Sequence, residues 1–390
     1  MGGNADVLIV GGGIIGLAIA REAAGAGLSV ILLEKGTPGG ETSTAAAGML
    51  GAQIESEGPD PLLDLCLRSR DLYPAFAREV QAESGLDPCL LDEGTIQVAS
   101  GGVEALGLER QHAFQRSLGL PVERLDRQDL MRLEPALAPG FEAALYLPHD
   151  RSIDNALLVR ALRLAAGKAG ARLHHGAGVR RLLVERGRIV GVEADGGRFT
   201  AGAVVIAAGA WSGEIRAEGT GSIPTHPVRG QMICLEPPGR PVRHVVVSTG
   251  CYLVPRRDGR LLVGSTMERV GFDSRVTAGG IASLASAAVT TIPVLREAPW
   301  HSTWAGLRPA TSDDLPAIGA GPAPGLWYAC GHLRNGILLA PLTARIVVRL
   351  LRGEGAGVEI GPFDPRRLVE RPGVTSPFAP SSPAAPGSRL

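Results

Sequence analysis

The 390-residue chain is poor in lysine, aromatic residues and cysteine, and it carries no net charge. Lysine occurs only at Lys35 and Lys168, so arginine supplies nearly all the positive charge. Lys+Arg and Asp+Glu balance at 39 each, which removes the electrostatic case for a nucleic acid or an anionic membrane as partner. The five cysteines (Cys66, Cys89, Cys234, Cys251 and Cys330) are odd in number and lack CxxC spacing. A disulfide framework is therefore not expected, and free thiols fit a cytoplasmic protein. The eight histidines lack HxH or HExxH spacing, so no metal site is expected. No apolar run reaches the roughly 18 residues of a membrane span. Residues 7–20 are apolar enough to suggest a signal h-region, but no basic segment precedes them and their glycines follow another pattern.

What is present is apolar residue and glycine. Hydrophobic residues make up 45%, enough for a large core, and the length suggests two or three domains. Residues 371–390, rich in Pro, Ser and Ala, cannot bury enough apolar surface to offset chain entropy and are expected to be disordered.

The stretch ADVLIVGGGIIGLAIAREAAGAGLSVILLEKG reads as strand, tight turn, helix, strand. Gly11, Gly13 and Gly16 form G-x-G-x-x-G. Such glycines permit the turn, close approach of backbone to a pyrophosphate, and tight helix–strand packing, while helix-start amides face the phosphates. Glu34 ends the second strand, where a carboxylate accepts ribose hydroxyls and repels a 2′-phosphate. This pattern predicts a dinucleotide other than NADP but does not separate NAD from FAD.

Downstream, GGETSTAAAGML is a small-residue run with hydroxyls at Thr42 and Ser43. It suits the close approach that a flavin ring and ribityl chain require; a small-residue helix packed on the sheet is the alternative. A hairpin at 179–194 and an apolar strand at 204–207 ending in AAGAWS supply the second half of a two-dinucleotide-fold layout. Residues 154–168 read as an amphipathic helix opened by Asp154. In RRDGR, Asp258-Gly259 reads as a hairpin turn.

With TSTAAAGMLGA, CYLVPRRDGRLLVGSTM, WAGLRPATSDDLPAIG and GHLRNGILLAP added, the sequence resembles the D-amino-acid oxidase and sarcosine oxidase family of FAD-dependent oxidoreductases over residues 6–364. The members it resembles oxidise glycine in thiamine biosynthesis. The resemblance implies a mixed α/β fold: a discontinuous Rossmann-like FAD domain (1–85, 150–220 and 315–370) and a mainly antiparallel substrate domain (86–149 and 221–314). It implies oxidation of glycine, and of sarcosine and small D-amino acids, by hydride loss from Cα to flavin N5, with O2 reduced to hydrogen peroxide. The products would be the imine or glyoxylate with ammonia, with possible hand-off to thiazole synthase. A homotetramer is also implied.

Such chemistry asks the protein to position substrate rather than to supply an acid or base. The resemblance places the substrate carboxylate on Arg308 and Tyr252, with Met267 lining the pocket and Arg334 facing the substrate side. Read without it, Arg308 could instead pair with Asp313 or Asp314 in a loop, Tyr252 could be a core residue, and Arg334 a surface residue. The flavin would be held by Gly11, Gly13, Ile14, Ile15, Gly16, Glu34, Lys35, Thr42, Ser43, Ala47, Gly48, Met49, Val179, Gly209, and residues His332, Leu333, Arg334, Asn335, Gly336, Ile337 and Leu338. The loop LRPAT lacks a cysteine, so the FAD is expected to be non-covalent. Family members often carry a histidine where this chain has Gly250. An electron-passing amino-acid dehydrogenase, a flavoprotein acting on modified tRNA and a non-enzymatic flavin protein are the rival readings. The dehydrogenase would need a membrane-binding surface, for which no basic amphipathic segment is present. Zero charge argues against the tRNA reading, and a merely structural flavin protein would need neither Arg308 nor Tyr252.

Overall fold

The computed structural model describes residues 2–56, 58–216 and 221–369. The tail expected to be disordered, 371–390, lies outside the described residues. Two eight-stranded sheets organise the rest. In the first, the strand order is Ala317–Ala320, Leu326–Cys330, Gly197–Ile206, Gly3–Val10, Val30–Glu34, Arg172–His175. All neighbours in this series are parallel except the Ala317–Ala320 edge strand. The hairpin of Val179–Glu185 and Arg188–Ala194 joins antiparallel onto Gly197–Ile206.

Strands such as VILLE are buried on both faces, as a sheet covered on both sides requires. The helices Ile14–Gly25, Pro61–Ser84, Asn155–Lys168 and Gly336–Leu351 share one apolar core on one face. The hairpin strands contribute to the core on the other. Asp154 caps its helix as expected, accepting from Leu157 N at 3.0 Å. The chain order reverses at Gly3–Val10, whose neighbours run one from Val30 and the other from Gly197. In open α/β sheets ligands bind at such a point, outside the carboxyl ends of the strands.

The second sheet runs Trp300–Ala310, His226–Leu235, Leu261–Gly264, Cys251–Pro255, Val245–Ser248, Thr95–Ala99, Ala143–Leu147, Glu123–Asp126. It is mostly antiparallel, with one parallel pairing between Val245–Ser248 and Thr95–Ala99. Ala278–Thr291 packs Leu284 and Ala288 into its core. The turn at Asp258-Gly259 joins Cys251–Pro255 to Leu261–Gly264, in agreement with the sequence.

The loop reading of Arg308 is corrected. WHSTWAGLRPA is an 11-residue strand at the sheet edge. Gly306 and Pro309 hide it in the sequence, and Pro309 is tolerated because an edge strand can spare a ladder donor. Asp313 pairs with Arg367 at 2.8 Å, and the cation nearest Asp314 is Arg269 at 4.0 Å.

Candidate active site

The small-residue run now has a mechanical explanation. Thr42–Ala45 forms a short helix lying on the edge strand, where a Cβ at Gly306 would stand 2.7 Å from Ala45 Cβ. Trp304 Nε1 donates to Ala45 O at 2.9 Å, and the Thr42 hydroxyl donates to Leu307 O at 2.6 Å. Thr42 therefore spends its donor on joining the two sheets. Ser43 Oγ accepts from Ile14 N at 2.9 Å, tying the run to the Gly-rich turn. Asn155 Nδ2 holds Ser43 O at 2.8 Å and is itself fixed by buried Arg256 at 2.7 Å.

These elements enclose one cavity of about 840 Å³, lined from Gly11, Glu34 and Lys35 to Tyr252, Met267, Arg308 and Arg334. Of the predicted site residues, all but two line it. Gly16 does not, because it packs against the turn: a Cβ there would stand 2.0 Å from Gly11 O. Leu338 does not either. Its side chain is 1% exposed within the helical core, and its carbonyl accepts from Ser69 Oγ at 2.6 Å.

The cavity fits an FAD on independent grounds. Two long helices start at its wall, Ile14–Gly25 and Gly336–Leu351, and neither has a side-chain cap or an acid in its first turn. The helices starting at Pro61, Asn155 and Ala278 are capped by Asp60, Asp154 and Thr277. Apart from Ile14 N, which already donates to Ser43 Oγ, the first amides of these two helices meet no side-chain acceptor among the described residues and are available for anionic groups. Glu34 Oε2 accepts from Gly12 N at 2.7 Å and Oε1 from Gly36 N at 2.8 Å, which fixes the carboxylate at the strand end. Lys35 Nζ sits 3.4 Å from the centroid of the Trp211 ring, a cation–π pair at the same end. Cys330 lines the wall, and burial pushes its thiol up to about 12, so it stays protonated. Among the described residues no cluster of His, Cys, Asp and Glu is arranged to hold a metal ion, and no helix is long and apolar enough to cross a membrane.

The substrate-side groups come from the second sheet. Arg308 reaches across the neighbouring strand at Gly230, where a Cβ would stand 2.2 Å from its Nη1. Its Nη2 donates to Ser265 Oγ at 2.5 Å and its Nη1 to Thr266 O at 3.2 Å. Among the described residues no carboxylate pairs with it directly. Tyr252 stands opposite Gly264 and donates to Met232 Sδ at 3.4 Å. Met267 is 55% exposed at the wall. Gly250 lines the cavity too, at φ +86°, and a Cβ there would rest in van der Waals contact with Ala287 Cβ at 3.5 Å.

Arg334 lines the same cavity as Arg308 but has an acidic partner within the chain. Its guanidinium is ion-paired to Glu55, so the anion that balances this helix-start arginine is a residue of the chain itself. Sequence reading missed Glu55 because it lies in the unremarkable segment GAQIESEG, with no spacing that marks a site. Crowding by protein raises the Glu55 pKa, opposed by Arg334 and Arg308.

His332 is 3% exposed, with Nε2 3.2 Å from Thr343 Oγ1, and burial lowers its pKa from 6.5 to about 3. The unfolded chain takes a proton below pH 6.5 that the native imidazole refuses until about pH 3. Stability present at neutral pH is therefore lost as pH falls through that window, by up to ~1.4 kcal/mol per pH unit. His332→Asn should flatten this part of the stability–pH curve. Urea unfolding of both proteins from pH 7 to 4 checks it, and parallel curves would remove His332 as the cause.

The fold and the cavity beside its glycine turn define a dinucleotide-binding protein. The chain belongs to the FAD dependent oxidoreductase (DAO) family, whose model matches residues 6–350. It is 40% identical to the glycine oxidase of Geobacillus kaustophilus (strain HTA426) over 372 residues, which span 95% of this chain and 98% of that protein. The crystal structure of glycine oxidase from Geobacillus kaustophilus superposes with a TM-score of 0.90, covering 93% of this chain and 98% of the other. A bifunctional ThiO/ThiG protein of Synechocystis sp. (strain PCC 6803) is 35% identical across 94% of this chain, which spans 54% of that longer protein. The chain is thus an FAD-dependent enzyme of the mixed α/β oxidoreductase fold anticipated from its sequence.

Proposed function

We propose that this enzyme oxidises glycine, and with it sarcosine and small D-amino acids, at Cα. The observation that carries the reading is the Arg308 guanidinium, which faces an FAD-sized cavity without a carboxylate of its own. When bound, FAD would supply a two-electron acceptor for the hydride lost from substrate Cα, with O2 as the final oxidant and hydrogen peroxide as its product. The chain's own part is to orient. Arg308 grips the substrate carboxylate through paired charge-assisted hydrogen bonds, and Tyr252 adds a hydroxyl contact beside it. Met267 closes the wall adaptably. No side chain is assigned as acid or base. The imine either hydrolyses to glyoxylate and ammonia or passes to a thiazole-forming partner.

Likeness to glycine oxidases over nearly their full length supports the substrate assignment. Fusion of a related chain in the ThiO/ThiG protein supports the link to thiamine biosynthesis. The proposal includes non-covalent FAD, a cytoplasmic location and a homotetramer. It also includes the division of the chain into an FAD unit (1–85, 150–220, 315–370) and a substrate unit (86–149, 221–314), in keeping with the residues that build each sheet. Purified protein should carry acid-releasable flavin and form peroxide from glycine in the presence of O2. Turnover with an artificial electron acceptor but none with O2 would favour a dehydrogenase instead.

A further inference from the structure

The cavity holds two guanidiniums, yet the substrate proposed above has one carboxylate. The chain neutralises one of them internally. Arg334 is bound by Glu55, while among the described residues the hydrogen-bond partners of Arg308 are two neutral oxygens. We infer that Glu55 is a specificity-determining residue: it occupies Arg334 so that the site accepts one anionic group and rejects ligands with two.

Three observations carry this. First, Glu55, Arg334 and Arg308 line the same cavity, and Glu55 contacts Arg334 directly. With Glu55 ionised, the trio keeps one net positive charge, the complement of a single carboxylate. A second ligand anion would have to displace Glu55 or sit beside it, and two like charges in contact within a partly enclosed cavity repel.

Second, the loop that carries Glu55 is held in place by a buried frame. The Asp150 carboxylate, 0% exposed, accepts from Gln53 N at 2.9 Å and Ile54 N at 2.8 Å. Arg70 donates to Asp150 at 3.1 Å and to Gln53 Oε1 at 2.7 Å, and Gln53 Nε2 donates to Gln115 Oε1 at 3.0 Å. Such a network fixes the backbone that presents Glu55, so the loop cannot retreat cheaply, and the carboxylate itself is held by its ion pair with Arg334. Third, both members of the pair keep contact with the cavity: the side chain of Glu55 is 28% exposed and that of Arg334 47%. A guanidinium released by loss of Glu55 would face the ligand.

The inference rests on Arg308 as the carboxylate anchor, and its test does not need turnover. Binding of acetate and malonate to the flavin-loaded protein is measured by titration calorimetry, for wild type, Glu55→Gln, Glu55→Ala and the double variant Glu55→Gln/Arg334→Gln. The malonate-to-acetate affinity ratio should rise on the order of tenfold in both single variants, one added charge-assisted pair at partly hydrated depth. It should return to the wild-type value in the double variant. A ratio within twofold of wild type in whichever single variant binds flavin would overturn the filter, as would a rise that survives loss of Arg334. Peroxide assays with glycine run alongside separate the two readings. If glycine is not oxidised but the ratio still rises, the substrate assignment fails and the filter stands.

Discussion

Arg308→Ala is expected to raise KM for glycine by roughly 100-fold or more, and to lower kcat/KM by about 1,000-fold, while the protein keeps its flavin. The loss of one paired guanidinium–carboxylate contact at this depth corresponds to about 3–4 kcal/mol. The size follows from the setting. The guanidinium lies over Gly230, within 2.2–2.5 Å of where a Cβ would stand, so the neighbouring strand leaves room for nothing else. Its protein partners, Ser265 Oγ and Thr266 O, are neutral and leave its charge uncompensated by direct contact. Removing it also strands no buried carboxylate, so stability should change little, and the effect should appear in catalysis. Arg308→Lys should recover only part of the loss, since a point charge replaces a fork. Steady-state peroxide assays over a wide glycine range check this. A wild-type-like KM in the alanine variant would refute the anchor and with it the proposed substrate class.

The second large effect is a contrast between two glycines of one turn. Gly11→Ala should prevent stable folding, whereas Gly13→Ala should fold and fail to hold FAD. Gly11 has φ +109°, and a Cβ there would stand 2.4 Å from Ala207 O and 2.8 Å from Ala208 Cα. All are backbone atoms, and they cannot retreat. Gly11 N donates to Leu33 O at 2.8 Å and Ala207 N to Val10 O at 2.8 Å, which locks three strands around the clash. At Gly13, among the described residues and apart from the chain neighbours, the one atom within 4 Å of an added Cβ is Ser43 Oγ, at 3.2 Å. The new methyl would project into the cavity at the helix start, where the pyrophosphate must come close. Expected results are aggregation or a collapse of Tm for Gly11→Ala. For Gly13→Ala, the apoprotein Tm should stay within a few degrees while flavin affinity falls on the order of 100-fold. Equal flavin content in Gly13→Ala and wild type, read from the absorbance ratio, would show that this glycine is not part of the phosphate cradle.

The local parts of this molecule were legible in its residues. The first strand, turn, helix and second strand could be placed because glycine positions and apolar runs are local signals. The hairpin over 179–194 and the helix after Asp154 followed for the same reason. The edge strand carrying Arg308 was not legible, because Gly306 and Pro309 look like loop residues until one sees that Gly306 admits the Thr42–Ala45 helix. Leu338 and Arg334 sit in one short motif, yet the helix turns Leu338 into the core while Arg334 meets Glu55.

The order of residues alone thus determined that a dinucleotide fold forms, where its phosphate turn lies, and which family it resembles. Those properties depend on backbone freedom and periodicity within a few tens of residues. Which guanidinium is left free and which is neutralised, which hydroxyl joins the two sheets, and which glycine makes room were decided only by the tertiary fold. Each depends on a contact between segments far apart in the chain, as when Thr42 meets Leu307 at a separation of 265 residues. Charge pairing and close approach act through space, and no local pattern encodes which distant side chain arrives.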